Sequence, residues 1–268
     1  MRARVLLGFG DIHMQSFCPG AGRFRQPTPE IVSCPQCGGE VEIWTDEIRA
    51  VCPSCGRTVL RDGGPSCLEW CEYARDCVGE KAYVTYRTNR AASLRRKLLD
   101  ELDEHFGDDR RRIEHAREVL ETATEILGKE KGADWFIVVP TCILHDVGIK
   151  PAEQKYGSSA PRYQEEEGPP VARKILLRHG LKLEAVDEIC DIIAHHHSPR
   201  RNEPLNYRVV YDADTLVNLK SRKGAMEERE LERLIGDVFF TPTGAALARR
   251  ILLQESKDGG ERRKGGRE

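Results

Sequence analysis

The sequence predicts a mainly α protein: an all-α helical domain over residues 90–254, preceded by a small β-hairpin module and a cysteine-bearing helix. Three observations carry this. Apolar residues recur at helical spacing from about Leu94 onward. Eight of the ten cysteines (18, 34, 37, 52, 55, 67, 71 and 77) fall in the first 77 residues. Between the paired cysteines lie only short strand-like runs.

In chain order, residues 1–29 carry Gly, Pro and Arg without periodicity and read as a disordered extension. Residues 30–61 form the cysteine module, in which Val41–Trp44 and Ile48–Val51 are expected to pair as a hairpin. Residues 62–89 are a cysteine-rich helix, expected at about 65–80, and a linker. Leu94, Leu98, Leu102 and Phe106 then mark a helix that Gly107 ends, with Asp108 or Asp109 capping the next. Ile113, Ala116, Leu120, Ala123 and Leu127 line that next helix. A third apolar run spans Trp135–Leu144, where Pro140 is expected to kink the helix or delay its start. Further helices are expected at about 169–179, 184–197, 205–219, 227–236 and 243–254, before a disordered tail at 255–268.

Composition excludes some functions. The net charge is −2, with 39% hydrophobic and 32% charged residues, which rules out a wholly disordered or collagen-like chain. A near-neutral chain has no excess for binding nucleic acid by bulk charge. No apolar stretch approaches the roughly 18 residues of a membrane span, and Val5-Leu6-Leu7 is too short for a signal-peptide core. The expectation is a soluble cytoplasmic protein with no membrane partner. In that compartment thiols stay reduced, and close cysteine pairs are metal ligands rather than disulfides.

Cys34-Pro-Gln-Cys37-Gly and Cys52-Pro-Ser-Cys55-Gly are matching knuckles. In each, a tight turn aims two sulfurs at one ion, and four thiolates suit structural zinc, with iron a lesser alternative. The module resembles a zinc ribbon or rubredoxin-like unit. Such a unit can bind nucleic acid, bind a protein partner or brace its neighbour; bracing or a protein partner is the favoured expectation. Cys67, Cys71 and Cys77 follow, with Cys67 and Cys71 expected one turn apart on one helix face. Two readings stand level: a second zinc or iron–sulfur site completed by Cys18 or a histidine, or small apolar side chains packing that helix.

The helical domain carries the chemistry. His115 borders the stripe of Ala116 and Val119. His145-Asp146 ends an apolar helix just before Gly148. His196 and His197 are expected to continue the face of Ile193, and Val210 and Val217 flank Asp214. Asp212 is expected on the rim. Carboxylates on buried faces are costly unless paired, so His and Asp on several helices point to a metal cage. Separately satisfied core polar groups are the plainer alternative. Imidazole and carboxylate ligands suit Mn, Fe, Ni, Zn or Mg.

His115, His145-Asp146 and Asp214 together resemble the H…HD…D signature of the HD superfamily, over about residues 90–254. The resemblance implies an all-α metal-dependent phosphohydrolase with His115, His145, Asp146 and Asp214 on one metal. In two-metal members Asp146 would bridge and a histidine of the 196–197 pair would hold the second ion. Many such members have a histidine at about the place of Gln164; Glu165 could substitute as ligand, or the acidic run 165–167 is a solvated helix start. The expected substrate is a nucleotide or other small phosphate ester, attacked by a metal-activated water. Asp146, His196, His197 and Lys150 are the candidate catalytic residues. Lys150, Arg200 and Arg201 are candidate phosphate contacts or ordinary surface charges. Two further classes compete: a di-iron oxygenase of the same fold, and a non-catalytic nucleotide sensor with a partner-binding ribbon.

Overall fold

Each cysteine knuckle sits at the turn of its own hairpin in the computed structural model, which describes residues 27–45, 47, 49–60, 67–69, 71–222 and 226–254. Strand β1 (Pro29–Ser33) pairs antiparallel with β2 (Glu40–Trp44), placing Val32 opposite Val41. Strand β3 (Arg49–Val51) pairs with β4 (Thr58–Leu60), placing Ala50 opposite Val59. Among the described residues, 41–44 and 49–51 do not pair with one another as expected. A knuckle reverses the chain, so the segments on either side of each knuckle meet one another. The two turns match bond for bond. Gly38 N donates to the Cys34 carbonyl at 2.8 Å, and Gly56 N to the Cys52 carbonyl at 2.9 Å. Both glycines are left-handed, with φ of 71° and 72°, a conformation that penalises any Cβ. Val41, Ile43, Val59, Cys34 and Cys52 form a small buried core.

The expected helix at 65–80 is interrupted. Cys67–Glu69 is a single 3₁₀ turn and α1 is only Ala74–Val78, so Cys67 and Cys71 do not share a helix face. Glu69 instead accepts hydrogen bonds from Tyr86 Oη at 2.7 Å and Arg90 Nε at 2.9 Å. Those partners lie on α2, which runs Glu80–Phe106 and so begins well before Leu94. Its first turns carry no continuous apolar stripe, and Val84 is exposed. The expected extension at 1–29, apart from residues 27–29, and the expected tail at 255–268 lie outside the described residues. Pro29 already belongs to β1.

The chain divides into two compact units between Ser93 and Leu94. The second is helical throughout. Leu94, Leu98, Leu102 and Phe106 are buried, as the four-residue repeat predicts. Asp109 caps α3 (Arg110–Leu127) by accepting from Arg112 N, and Ile113, Ala116, Val119, Leu120, Ala123 and Ile126 form its buried stripe. Asp134 caps α4 (Trp135–Leu144), which starts undelayed and contains Pro140. Next come α5 (Ile149–Tyr156), α6 (Pro161–Arg178), α7 (Leu183–Ile193), α8 (Leu205–Arg222), α9 (Glu228–Val238) and α10 (Pro242–Arg249). A wider last turn covers Arg250–Gln254.

Two boundaries change how the site is built. Helix α6 starts at Pro161, not near 169, so Glu165–Glu167 lie inside it rather than at its start. Helix α7 stops at Ile193, so His195–His197 form a turn instead of extending the helical face. Among the described residues no helix is long and apolar enough to cross a membrane.

Candidate metal centre

Four segments of the helical unit converge. Helix α3 contributes His115, the end of α4 contributes His145 and Asp146, the turn after α7 contributes His196 and His197, and α8 contributes Asp214. His115 Nε2 lies 3.0 Å from Asp214 Oδ1, 3.3 Å from His145 Nε2 and 3.8 Å from Asp146 Oδ2. His145 Nε2 lies 3.5 Å from Asp146 Oδ2 and 3.7 Å from Asp214 Oδ1. The other Asp146 oxygen, Oδ1, lies 3.7 Å from His196 Nε2. Asp146 thus belongs to two donor groups, one with His115 and His145 and one with His196 and His197.

These spacings pass a simple test. Donors about 2.1 Å from one ion stand about 3.0 to 3.4 Å apart along the edges of an octahedron or tetrahedron. The separations among His115, His145 and Asp146, and from both histidines to Asp214, fall at or just above that interval, as they would for ligands of one ion. Tautomers agree. His145 Nδ1 donates to the Cys142 carbonyl and His196 Nδ1 to the Ile193 carbonyl, each at 2.8 Å and three residues back. Such a bond turns the Nε2 lone pair outward and orients the ring, as in metal-bound histidines. His196 Nε2 is buried without a hydrogen-bond partner, an arrangement that a ligand ion would satisfy.

Electrostatics follow from the same packing. Burial pushes the Asp146 carboxyl up, but the imidazoles of His145, His196 and His115 outweigh it and hold the group below the usual carboxylate range. Asp214, raised by burial and lowered more by His115 and His145, also ends below that range. Burial pulls His115 down, and the carboxylates of Asp214 and Asp146 bring it above its ordinary value. His197 goes the other way, to about 4, through burial and the neighbouring His196.

Glycine shapes the backbone here. A Cβ on Gly148 would stand 2.7 Å from Gly168 N and 2.9 Å from Gly168 Cα, with the Gln164 carbonyl closer still. The chain after Asp146 therefore passes directly against α6, and only glycine fits.

The remaining predicted residues fall as follows. Gln164, largely buried, presents Oε1 3.2 Å from His197 Nε2, while its Nε2 donates to the Ser159 carbonyl. Glu165 Oε1 accepts from His197 N and Ser198 Oγ and joins no donor group, so it braces the turn instead. Lys150 Nζ donates to the His105 carbonyl at 2.8 Å and lines a separate depression. Arg200 pairs with Asp191 at 2.7 Å, and neither it nor Arg201 lines the cavity beside the cluster. Asp212 is fully buried rather than on the rim. It accepts from Phe240 N, Thr241 N and Thr241 Oγ1, which ties α8 to the start of α10.

Sequence reasoning missed three residues near the centre. Asn218 Nδ2 donates to Asp214 Oδ1 at 2.9 Å, and its i,i+4 spacing from Asp214 was the available signal. Arg111, one turn before His115, and Lys220 line a cavity of about 660 Å³ that opens onto His115 and Asp146.

The first unit holds a second candidate site. The four sulfurs of Cys34, Cys37, Cys52 and Cys55 lie within 4.8 Å of one another. Across the knuckles, Cys34 and Cys55 are 3.7 Å apart and Cys37 and Cys52 are 3.6 Å apart. A tetrahedron with metal–sulfur bonds of about 2.3 Å has edges of about 3.8 Å, so the cage fits zinc or iron. Cys71 and Cys77 join no such group among the described residues. Cys18 and the Cys67 side chain lie outside the described residues.

No curated protein matches the chain. A crystal structure of a predicted HD superfamily hydrolase from an uncultured Thermotogales bacterium is 26% identical, covering 62% of this chain and 89% of that one with a TM-score of 0.46. The HD domain family model matches residues 112–219, the stretch that carries His115, His145, Asp146, His196 and Asp214. Over residues 112–219 the chain is similar to the HD domain family.

Proposed function

We propose that the protein is a metal-dependent phosphohydrolase acting on a small phosphate ester, with a structural metal, zinc by its ligands, at Cys34, Cys37, Cys52 and Cys55. The observation that carries the reading is the donor group of His115, His145 and Asp146, with Asp214 against both histidines, beside an open cavity. Nitrogen and carboxylate donors suit Mn, Fe, Ni, Zn or Mg. His115, His145 and Asp146 could hold one ion, and the sharing of Asp146 with His196 and His197 leaves room for a second.

His115, His145 and Asp146, with Asp214 beside them, would hold a divalent ion, which would supply acidification of a water and charge neutralisation at the phosphate oxygens. The chain does the rest. Asn218 fixes the orientation of Asp214, and the carbonyls of Cys142 and Ile193 fix the rings of His145 and His196. The water oxygen forms a new bond to phosphorus, the ester P–O bond breaks, and the leaving oxygen takes a proton. His197, neutral near pH 7, lies beside Asp146 and His196, where it can relay that proton or bind a second ion.

Phosphate release measured across divalent metals tests the reading. Wild type should hydrolyse a generic phosphomonoester only with metal, and Asp146→Asn should lose about a thousandfold or more, the scale of removing a key electrostatic group. Full activity in Asp146→Asn would exclude this site.

A further inference from the structure

The cavity beside the metal centre has an uneven charge pattern, and that pattern narrows the substrate. Two of its three cations are already engaged. Arg112 makes a two-point contact with Glu153 and also pairs with Asp109 at 3.0 Å. Lys220 pairs with Glu118 at 3.5 Å. Arg111 has no ion-pair partner among the described residues and lies one helical turn, about 6 Å, before His115 on the same face of α3. The wall also carries the carboxylates of Asp109, Glu114 and Glu118. One free cation next to a metal suits one phosphate. Asp109 and Glu118 are answered by Arg112 and Lys220, but Glu114 has no ion-pair partner among the described residues, so a chain of phosphates would press further negative charge against it, which costs rather than gains.

Those carboxylates have another use. An ionised carboxylate only accepts hydrogen bonds, so it welcomes hydroxyl donors. Ser159, Ser221 and Gln164 add polar groups, and Ile149 and Val217 are the apolar contributors. Among the described lining residues there is no Phe, Tyr or Trp on which a nucleobase could stack.

We propose that the substrate is a hydroxyl-rich phosphomonoester, a sugar or polyol monophosphate, with Arg111 contacting its phosphate and the acidic wall accepting from its hydroxyls. This deepens the phosphohydrolase reading and rests on it.

The experiment compares kcat/KM of the metal-loaded protein on ribose 5-phosphate, adenosine 5′-monophosphate and adenosine 5′-triphosphate, with p-nitrophenyl phosphate as a generic ester. The expected result is ribose 5-phosphate at least tenfold above the nucleoside monophosphate and a hundredfold above the triphosphate. Arg111→Ala should raise KM for ribose 5-phosphate about tenfold with kcat within twofold. Glu114→Lys should narrow the gap to the triphosphate. A preference for either nucleotide would overturn the inference and leave the hydrolase standing. An unchanged KM in Arg111→Ala would overturn the role of that residue. No turnover of any ester, p-nitrophenyl phosphate included, would sink the hydrolase reading and this one with it.

Discussion

Replacing Gly148 with alanine tests how the candidate metal centre is held. The new Cβ would meet Gly168 N at 2.7 Å and Gly168 Cα at 2.9 Å, with the Gln164 carbonyl nearer than either. Ordinary contact begins at about 3.5 Å, and the Gln164 carbonyl is the nearest atom, so the two segments must part by more than an ångström. All three neighbours are backbone atoms, and no side-chain rotation relieves them. Overpacking of this kind costs about 1 to 3 kcal/mol, and the absence of a soft neighbour places it at the upper end. Gly148 has an ordinary φ of −70°, so alanine regains up to about 1 kcal/mol by restricting the unfolded chain. The net loss is about 2 kcal/mol. Because Asp146 lies two residues away, the displacement also exceeds the roughly 0.2 Å tolerance of a metal bond. Urea unfolding and calorimetric metal binding read the two effects. Gly128→Ala is the control: its φ is −62° and its nearest neighbours stand at 3.5 and 3.7 Å. It should be neutral or slightly stabilising. If Gly148→Ala unfolds at the same urea concentration as Gly128→Ala and binds metal like wild type, the close-approach argument is wrong.

Other perturbations separate structural from metal-binding roles. Asp212→Ala strands three donors, the two on Thr241 buried and the one on Phe240 part-buried, and should lower stability by about 3 kcal/mol in urea unfolding. Tyr207→Phe removes the buried hydroxyl that donates to the His195 carbonyl at 3.0 Å. It should cost about 1 kcal/mol and weaken metal binding by loosening the turn that carries His196 and His197. Cys52→Ser should abolish metal at the cysteine site, read by elemental analysis, and leave the metal of the helical unit in place.

What the sequence revealed and what it hid have physical causes. Stripes that face one core, such as Leu94-Leu98-Leu102 and Ile113-Ala116-Leu120, show directly as periodicity, because burial on one face is what periodicity encodes. The donors His115, His145, Asp146 and Asp214 were legible for the same reason, as polar residues at apolar positions. Helix ends were less so. Nothing local says that α7 stops at Ile193; the turn after it is held by distant partners, Glu165 and Tyr207. Asp212 was misjudged because its three donors lie about 28 residues further along the chain. The interruption near Cys71 was invisible because Glu69 is drawn to Tyr86 and Arg90. Arg111 went unnoticed because an exposed arginine carries no signal until the cavity beside it is seen.

The central claim is that His115, His145, Asp146 and Asp214 form a metal centre distinct from the cysteine cage. Elemental analysis of wild type against His145→Ala, with folding checked by circular dichroism, tests it most directly. Wild type should carry metal at both sites, and His145→Ala should keep only the metal of the cysteine site. Equal metal content in the two folded proteins would contradict the account.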